Sequence, residues 1–127
     1  MRPPSRRRSL LAAPAVAYAV LIFAASSLPG SQVPATGVPN GDKLLHAAEY
    51  GVFGLLLLLP VRDLGRRGSL VALAVGGVFA ATDELHQAFV PGRSADVLDF
   101  AIDVVGLLLA VAVFALWSRW RTAAKTP

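Results

Sequence analysis

Four apolar stretches decide what this chain can fold into. They run about Leu10 to Leu28, Leu44 to Val61, Leu70 to Val90 and Val97 to Trp117. A helix rises about 1.5 Å per residue, so roughly 20 residues cross a hydrocarbon core. The first stretch carries no charge, and each of the others carries polar residues at one end. A backbone in lipid must satisfy its own hydrogen bonds, which leaves the helix as the form such segments take. The sequence therefore predicts an all-α fold, an integral membrane bundle of four transmembrane helices. A mean hydropathy of +0.60 excludes a disordered chain. The absence of cysteine excludes disulfide and thiolate chemistry.

The connections carry turn chemistry. Residues 29–41 are broken by Pro29, Pro34 and Pro39 and by glycines, which predicts an irregular loop. Residues 62–68, RDLGRRG, read as a short basic loop. Residues 91–94, PGRS, read as a tight turn with Ser94 as N-cap of the fourth helix. SRRRSLL (5–11) before the first apolar stretch, with AASS (24–27) at its end, resembles a signal peptide of the twin-arginine kind. The length of the apolar stretch and the membrane helices after it favour an uncleaved first helix.

Charge placement gives an orientation. The N-terminal tail holds Arg2, Arg6, Arg7 and Arg8. The 62–68 loop holds Arg62, Arg66 and Arg67, and the C-terminal tail holds Arg119, Arg121 and Lys125. With four helices these three segments share one side, and cytoplasmic segments are enriched in Lys and Arg. Both termini are expected in the cytoplasm, with residues 1–9 and 119–127 as basic tails of a membrane domain spanning 10–118. The basic balance is thus topological, and no nucleic-acid partner is expected. Trp117 and Trp120 fit an interfacial belt at the same end.

Seven of the eight acids, all but Asp63, lie toward the other side. At about 100° per residue, Asp42, His46, Glu49, Tyr50 and Phe53 share one arc of the second helix. Asp83, Glu84 and Gln87 share a face of the third with Ala72, Gly76 and Ala80, while His86 falls on its flank. Asp96, Asp99, Asp103 and Gly106 share a face of the fourth. Glu49, Asp83 and Asp103 sit at one depth, roughly 10 Å below the outer surface. A charge at mid-bilayer costs about 2.5–3.5 kcal/mol on insertion scales, so such residues face a cavity or a partner. Lys43 and Arg93 are the local cations and cannot balance all the acids. Asp42, Lys43, His46, Glu49, Tyr50, Asp83, Glu84, Gln87, Arg93, Ser94, Asp99 and Asp103 are therefore the candidate binding residues of an outward-facing polar cavity.

These residues resemble the VanZ-like family of bacterial membrane proteins. The resemblance is carried by SSLP (26–29), DKLLHAAEYGVFG (42–54) and DELHQAFVPGRSADVLDFAIDVVG (83–106). The family pattern maps onto Asp42, Lys43, His46 and Tyr50, then Asp83, Glu84 and Gln87, the Pro91–Ser94 turn, and Asp99, Asp103 and Gly106. Asp103 stands where the family usually has Asn. The resemblance implies a multi-pass protein of the cell membrane whose namesake lowers susceptibility to the glycopeptide antibiotic teicoplanin.

Two functional readings follow. In the first, the protein is a non-enzymatic envelope component. Its cavity binds a lipid headgroup, a lipid-linked cell-wall precursor or a lipoglycopeptide. In the second it is a membrane-embedded hydrolase or transferase, with Glu84 or Asp83 as general base and His46 as acid. The spacings His46-x-x-Glu49 and Asp83-x-x-His86 loosely echo di-metal bundles. The flank position of His86 speaks against that, and neither a metal nor another cofactor is expected. The plainer reading is that these side chains hold helices together by hydrogen bonds. In that reading Gly51, Gly54, Gly76, Gly77 and Gly106 are packing positions. Glue, however, has no need of net negative charge.

Overall fold

A computed structural model describes residues 4–124; Arg2 and Lys125 lie outside them. Among the described residues the fold is four α-helices and two 3-10 segments, with no strand. Helix α1 spans Pro4–Ser26, α2 Gly41–Leu58, α3 Arg66–Gln87 and α4 Val97–Ala123. Each is long and apolar enough to cross a membrane. Large apolar side chains such as Val16, Leu21, Leu44, Val78, Leu109 and Leu116 are exposed around the bundle. In water such a surface would aggregate, whereas in lipid it is the ordinary outer face.

Three helices run longer than their apolar stretches. Helix α1 continues back through Arg6–Arg8, α3 begins at Arg66, and α4 continues through Arg119 and Arg121. Arginine is a good helix former and its long stem lets the charge reach the interface. Arg121 stacks its guanidinium 4.8 Å from the Trp117 ring centre at that end. The expected 62–68 loop is mostly helical. Leu59–Leu64 forms a 3-10 segment, in which Pro60 offers no N–H to an α ladder. Only Gly65, at φ 56°, breaks the path before α3.

The core is narrow and aromatic. Tyr50 and Phe53 of α2 pack edge to face with centroids 6.0 Å apart, and Phe79 of α3 lies 5.1 Å from Phe53. Ala15 and Ile22 of α1, Ala80 of α3 and Leu107 of α4 complete it. Small residues bring the helices this close. A Cβ at Gly54 would press on Ala110, and one at Gly76 on Leu107. Gly51 and Gly106 face each other where α2 crosses α4. Gly77 instead faces open space, so it is not a packing position.

The helix ends sort by charge. At one end Arg7 of α1 lies 3.8 Å from Asp63, the lone acid among the basic residues. At the other, hydrogen bonds join the C-terminal ends of α1 and α3 to each other, and the N-terminal ends of α2 and α4 likewise. The loop 29–40 is irregular apart from one 3-10 turn, Gly30–Gln32. It is tied to the α3–α4 connection by Gly30 N–H donating to Pro91 O at 3.0 Å.

Candidate functional site

The polar end is built outward from its turns. Arg93 N–H donates to Val90 O at 3.0 Å, closing a turn with Pro91 and Gly92 at its centre. Gly92 has φ 72°, which the third position of a type II turn requires and glycine supplies without strain. The N-cap of α4 is Asp96, not Ser94. Asp96 Oδ1 accepts from Leu98 N–H at 2.8 Å, and Ser94 is exposed two residues upstream in chain without regular structure. An ionised carboxylate is the stronger acceptor at a helix N-terminus, where the dipole favours negative charge. The Leu98 amide, then the Lys43 ammonium, hold the Asp96 carboxyl below its ordinary value.

Lys43, on the first turn of α2, gathers three acids. Asp42 and Asp96 lie 3.3 Å from its Nζ, and Asp99 Oδ1 also pairs with it. His46 follows one turn later. Its Nδ1 lies 2.8 Å from Asp103 Oδ1, and its Nε2 lies 3.9 Å from Asp99 Oδ2. Opposite an ionised Asp103, which only accepts, Nδ1 carries the proton; in the neutral ring Nε2 then presents a lone pair.

A second chain of bonds runs through α3. Ser26 Oγ donates to Asp83 Oδ2 at 2.7 Å, and Gln87 Nε2 donates to the same oxygen at 3.2 Å. Arg93 Nη2 donates to Gln87 Oε1 at 2.6 Å. Gln87 thus relays between an acid of α3 and the cation of the turn. Gln87→Leu removes a donor from buried Asp83 and an acceptor from Arg93. It is expected to cost about 1–3 kcal/mol, read as a lower midpoint of thermal unfolding in detergent. Ser26→Ala, which removes a single bond to Asp83, is expected to cost less. Equal midpoints for Gln87→Leu and the wild type would contradict the relay.

Three buried carboxylates each use one oxygen and leave the other unpaired. Asp83 Oδ1, Glu84 Oε1 and Asp103 Oδ2, with the Tyr50 hydroxyl, have no hydrogen-bond partner among the described residues. Glu84 Oε2 accepts from Asp96 N–H at 2.9 Å. One histidine nitrogen, one Glu84 oxygen and one Asp99 oxygen lie within 4.8 Å of one another.

A cavity of about 790 Å³ opens beside this cluster, a size typical of ligand sites. Lys43, His46, Glu49, Gln87, Arg93 and Asp99 contribute to its polar lining, and Tyr18, Leu28, Leu45 and Val52 to its apolar lining. Asp42 and Ser94 also line it. Tyr50, Asp83, Glu84 and Asp103 do not line it and lie behind it in the bundle. Lys43 pairs with both Asp42 and Asp96, while Arg93 makes no ion pair among the described residues.

His86 points elsewhere. It stacks on Phe23 of α1 with centroids 4.2 Å apart, and its Nε2 lies 2.9 Å from Ser27 Oγ. The Ser27 hydroxyl proton goes to Phe23 O at 2.7 Å, so His86 is the donor and Ser27 is not an activated nucleophile. Ser26 is the functional-end residue that sequence reasoning missed. Its signal was available: it lies four residues after Ile22 on the buried face of α1.

A family model described as VanZ/LLP1 matches residues 9–118. Comparison with curated proteins and with solved structures returns no match.

Proposed function

The chain belongs to the VanZ/LLP1 family, and from that premise we propose that this multi-pass membrane protein is a binding component of the bacterial cell envelope. It sits in the cell membrane with both termini in the cytoplasm, as the basic end requires under the positive-inside rule. The cavity then opens outward. It takes up the headgroup region of a membrane lipid or lipid-linked cell-wall precursor, and this lowers susceptibility to teicoplanin-type glycopeptides.

The observation that carries this reading is the mixed lining of the cavity, cationic, acidic and apolar. Arg93 makes no ion pair among the described residues, and it lines the cavity together with Lys43, acids and apolar side chains. A headgroup joined to acyl chains presents the complementary pattern. In a teicoplanin-sensitive host, expression is expected to raise the inhibitory concentration several-fold, and Arg93→Ala or Asp99→Asn to abolish the rise. An unchanged rise in both variants, with expression equal to wild type, would rule the cavity out as its cause.

One observation favours the hydrolase or transferase reading. His46 lines the cavity with Asp103 behind it, an arrangement suited to general acid–base work. Asp83 and Glu84, set back from the cavity, serve that reading less well. A lipid species whose level tracks an intact His46 would favour the enzyme, and a lipid profile indifferent to His46→Ala would exclude it.

A further inference from the structure

We infer that His46, Glu84 and Asp99 form a binding site for one first-row divalent cation of the Zn²⁺ or Mn²⁺ type, with Asp103 as the group that orients the histidine.

Each of α2, α3 and α4 supplies one ligand, and the three ligand atoms lie within 4.8 Å of one another. Zinc bonds of about 2.0–2.2 Å to nitrogen and oxygen set ligand atoms roughly 3.4 Å apart in a tetrahedron. Binding therefore requires the set to contract from its present spread. The 3.9 Å from His46 Nε2 to Asp99 Oδ2 is already near that spacing.

Three independent features point to a cation. The first is the contact between His46 and Asp103. Metal-ligating histidines characteristically donate their second ring N–H to a carboxylate, which fixes the ring and raises its basicity. The bond from His46 Nδ1 to Asp103 Oδ1 at 2.8 Å is of that kind and leaves Nε2 for the ion. The second is Glu84. The residue is 5% exposed, its Oε2 is held by the Asp96 amide, and its buried Oε1 has no partner among the described residues. Leaving a buried carboxylate oxygen unpaired is costly, and an ion bound through Oε1 would supply its partner. The third is charge. Seven acids occupy this end of the bundle against Lys43 and Arg93, and a dication reduces the imbalance.

Lys43 does not compete for the whole of Asp99. It pairs with Oδ1 and leaves Oδ2 on the side of His46. An imidazole with two carboxylates is a nitrogen–oxygen set suited to Zn²⁺ or Mn²⁺. Three protein ligands leave a coordination position open, as in catalytic rather than structural zinc sites. His46 and Asp99 line the cavity, so that position faces it. The spacing-based pairing of His46 with Glu49 and of Asp83 with His86 does not form, because His86 is held against α1.

The inference stands apart from the headgroup reading, since it is tested with the ion alone. Full-length protein in detergent is stripped with chelator, loaded with Zn²⁺ or Co²⁺, desalted and assayed for metal per chain. One equivalent is expected for the wild type and for Asp63→Asn, at the opposite end. His46→Ala, Glu84→Gln and Asp99→Asn are expected to lose it while remaining monodisperse and helical. Asp103→Asn is expected to bind about 10–100-fold more weakly. Folded wild type retaining no metal overturns the inference, as does equal retention in the three ligand variants. Should a variant fail to fold, zinc-edge absorption on the wild type decides. One imidazole nitrogen with oxygens supports the site, and an all-oxygen shell overturns it. A metal-free protein that still changes teicoplanin susceptibility would remove the ion and leave the headgroup reading standing.

Discussion

Leucine in place of Gly106 is expected to separate α2 from α4 and lower the thermal midpoint in detergent by about 10–20 °C. A Cβ on Gly106 would lie 2.5 Å from Ala47 O, 3.0 Å from Gly51 N and 3.2 Å from Tyr50 Cβ. Two of these are backbone atoms of α2, so no rotamer change relieves the clash. The helices would have to part, and overpacking of this kind costs about 1–3 kcal/mol or more. For a chain of this size about 3 kcal/mol corresponds to the midpoint shift given above. Parting would also draw His46 from Asp103 and Lys43 from Asp96 and Asp99, because all three bonds join α2 to α4. Gly77→Leu is the control. Nothing lies within 4 Å of the Cβ it would add, and surface changes are usually within about 0.5 kcal/mol. Midpoints that fall equally for the two variants would contradict the close-approach argument.

The contrast between these glycines marks how far the sequence could be read. Both lie in apolar helical stretches, and both read as packing positions. Periodicity gives a residue's phase on its own helix but not which neighbour that phase meets. The broad outline was legible because four long apolar runs admit few folds. The shared faces of Tyr50 and Phe53, and of Ala80, Asp83, Glu84 and Gln87, follow from helical phase alone, and these residues are buried. Helix ends were less legible, since Arg66 and Arg119 are helix formers that hydropathy counts against a span. The N-cap was misread because two capping residues, Ser94 and Asp96, stand two apart, and only the extended path after the Pro91–Gly92 turn selects the second. The pairing of Lys43 with three acids, and the seclusion of Asp83, Glu84 and Asp103 behind the cavity, depend on how α2, α3 and α4 meet. No single-helix pattern carries that.

Removing the histidine from the His46–Asp103 pair is expected to cost more than removing the acid. Asp103 is 0% exposed, with Oδ1 bonded to His46 and Oδ2 without a partner. In metal-free protein at neutral pH, His46→Ala strands a buried carboxylate with neither oxygen satisfied. Losing one partner of a buried charged pair costs about 3–5 kcal/mol. Asp103→Leu removes that charge and leaves only a half-buried imidazole N–H unsatisfied, worth about 1–3 kcal/mol. The double replacement, His46→Leu with Asp103→Leu, is then expected to be more stable than His46→Ala alone, because it strands neither group. Asp103→Asn has the opposite sign. The amide oxygen keeps the acceptor for His46. One negative charge also leaves a cluster that holds Asp99 and Glu84 nearby. The unfolding midpoint of Asp103→Asn is expected at or above that of the wild type, although its metal affinity falls. The acid at this position thus stabilises an ion at the expense of the bundle without one. If His46→Ala costs no more than Asp103→Leu, Asp103 carries no buried charge for His46 to compensate, and that trade does not exist.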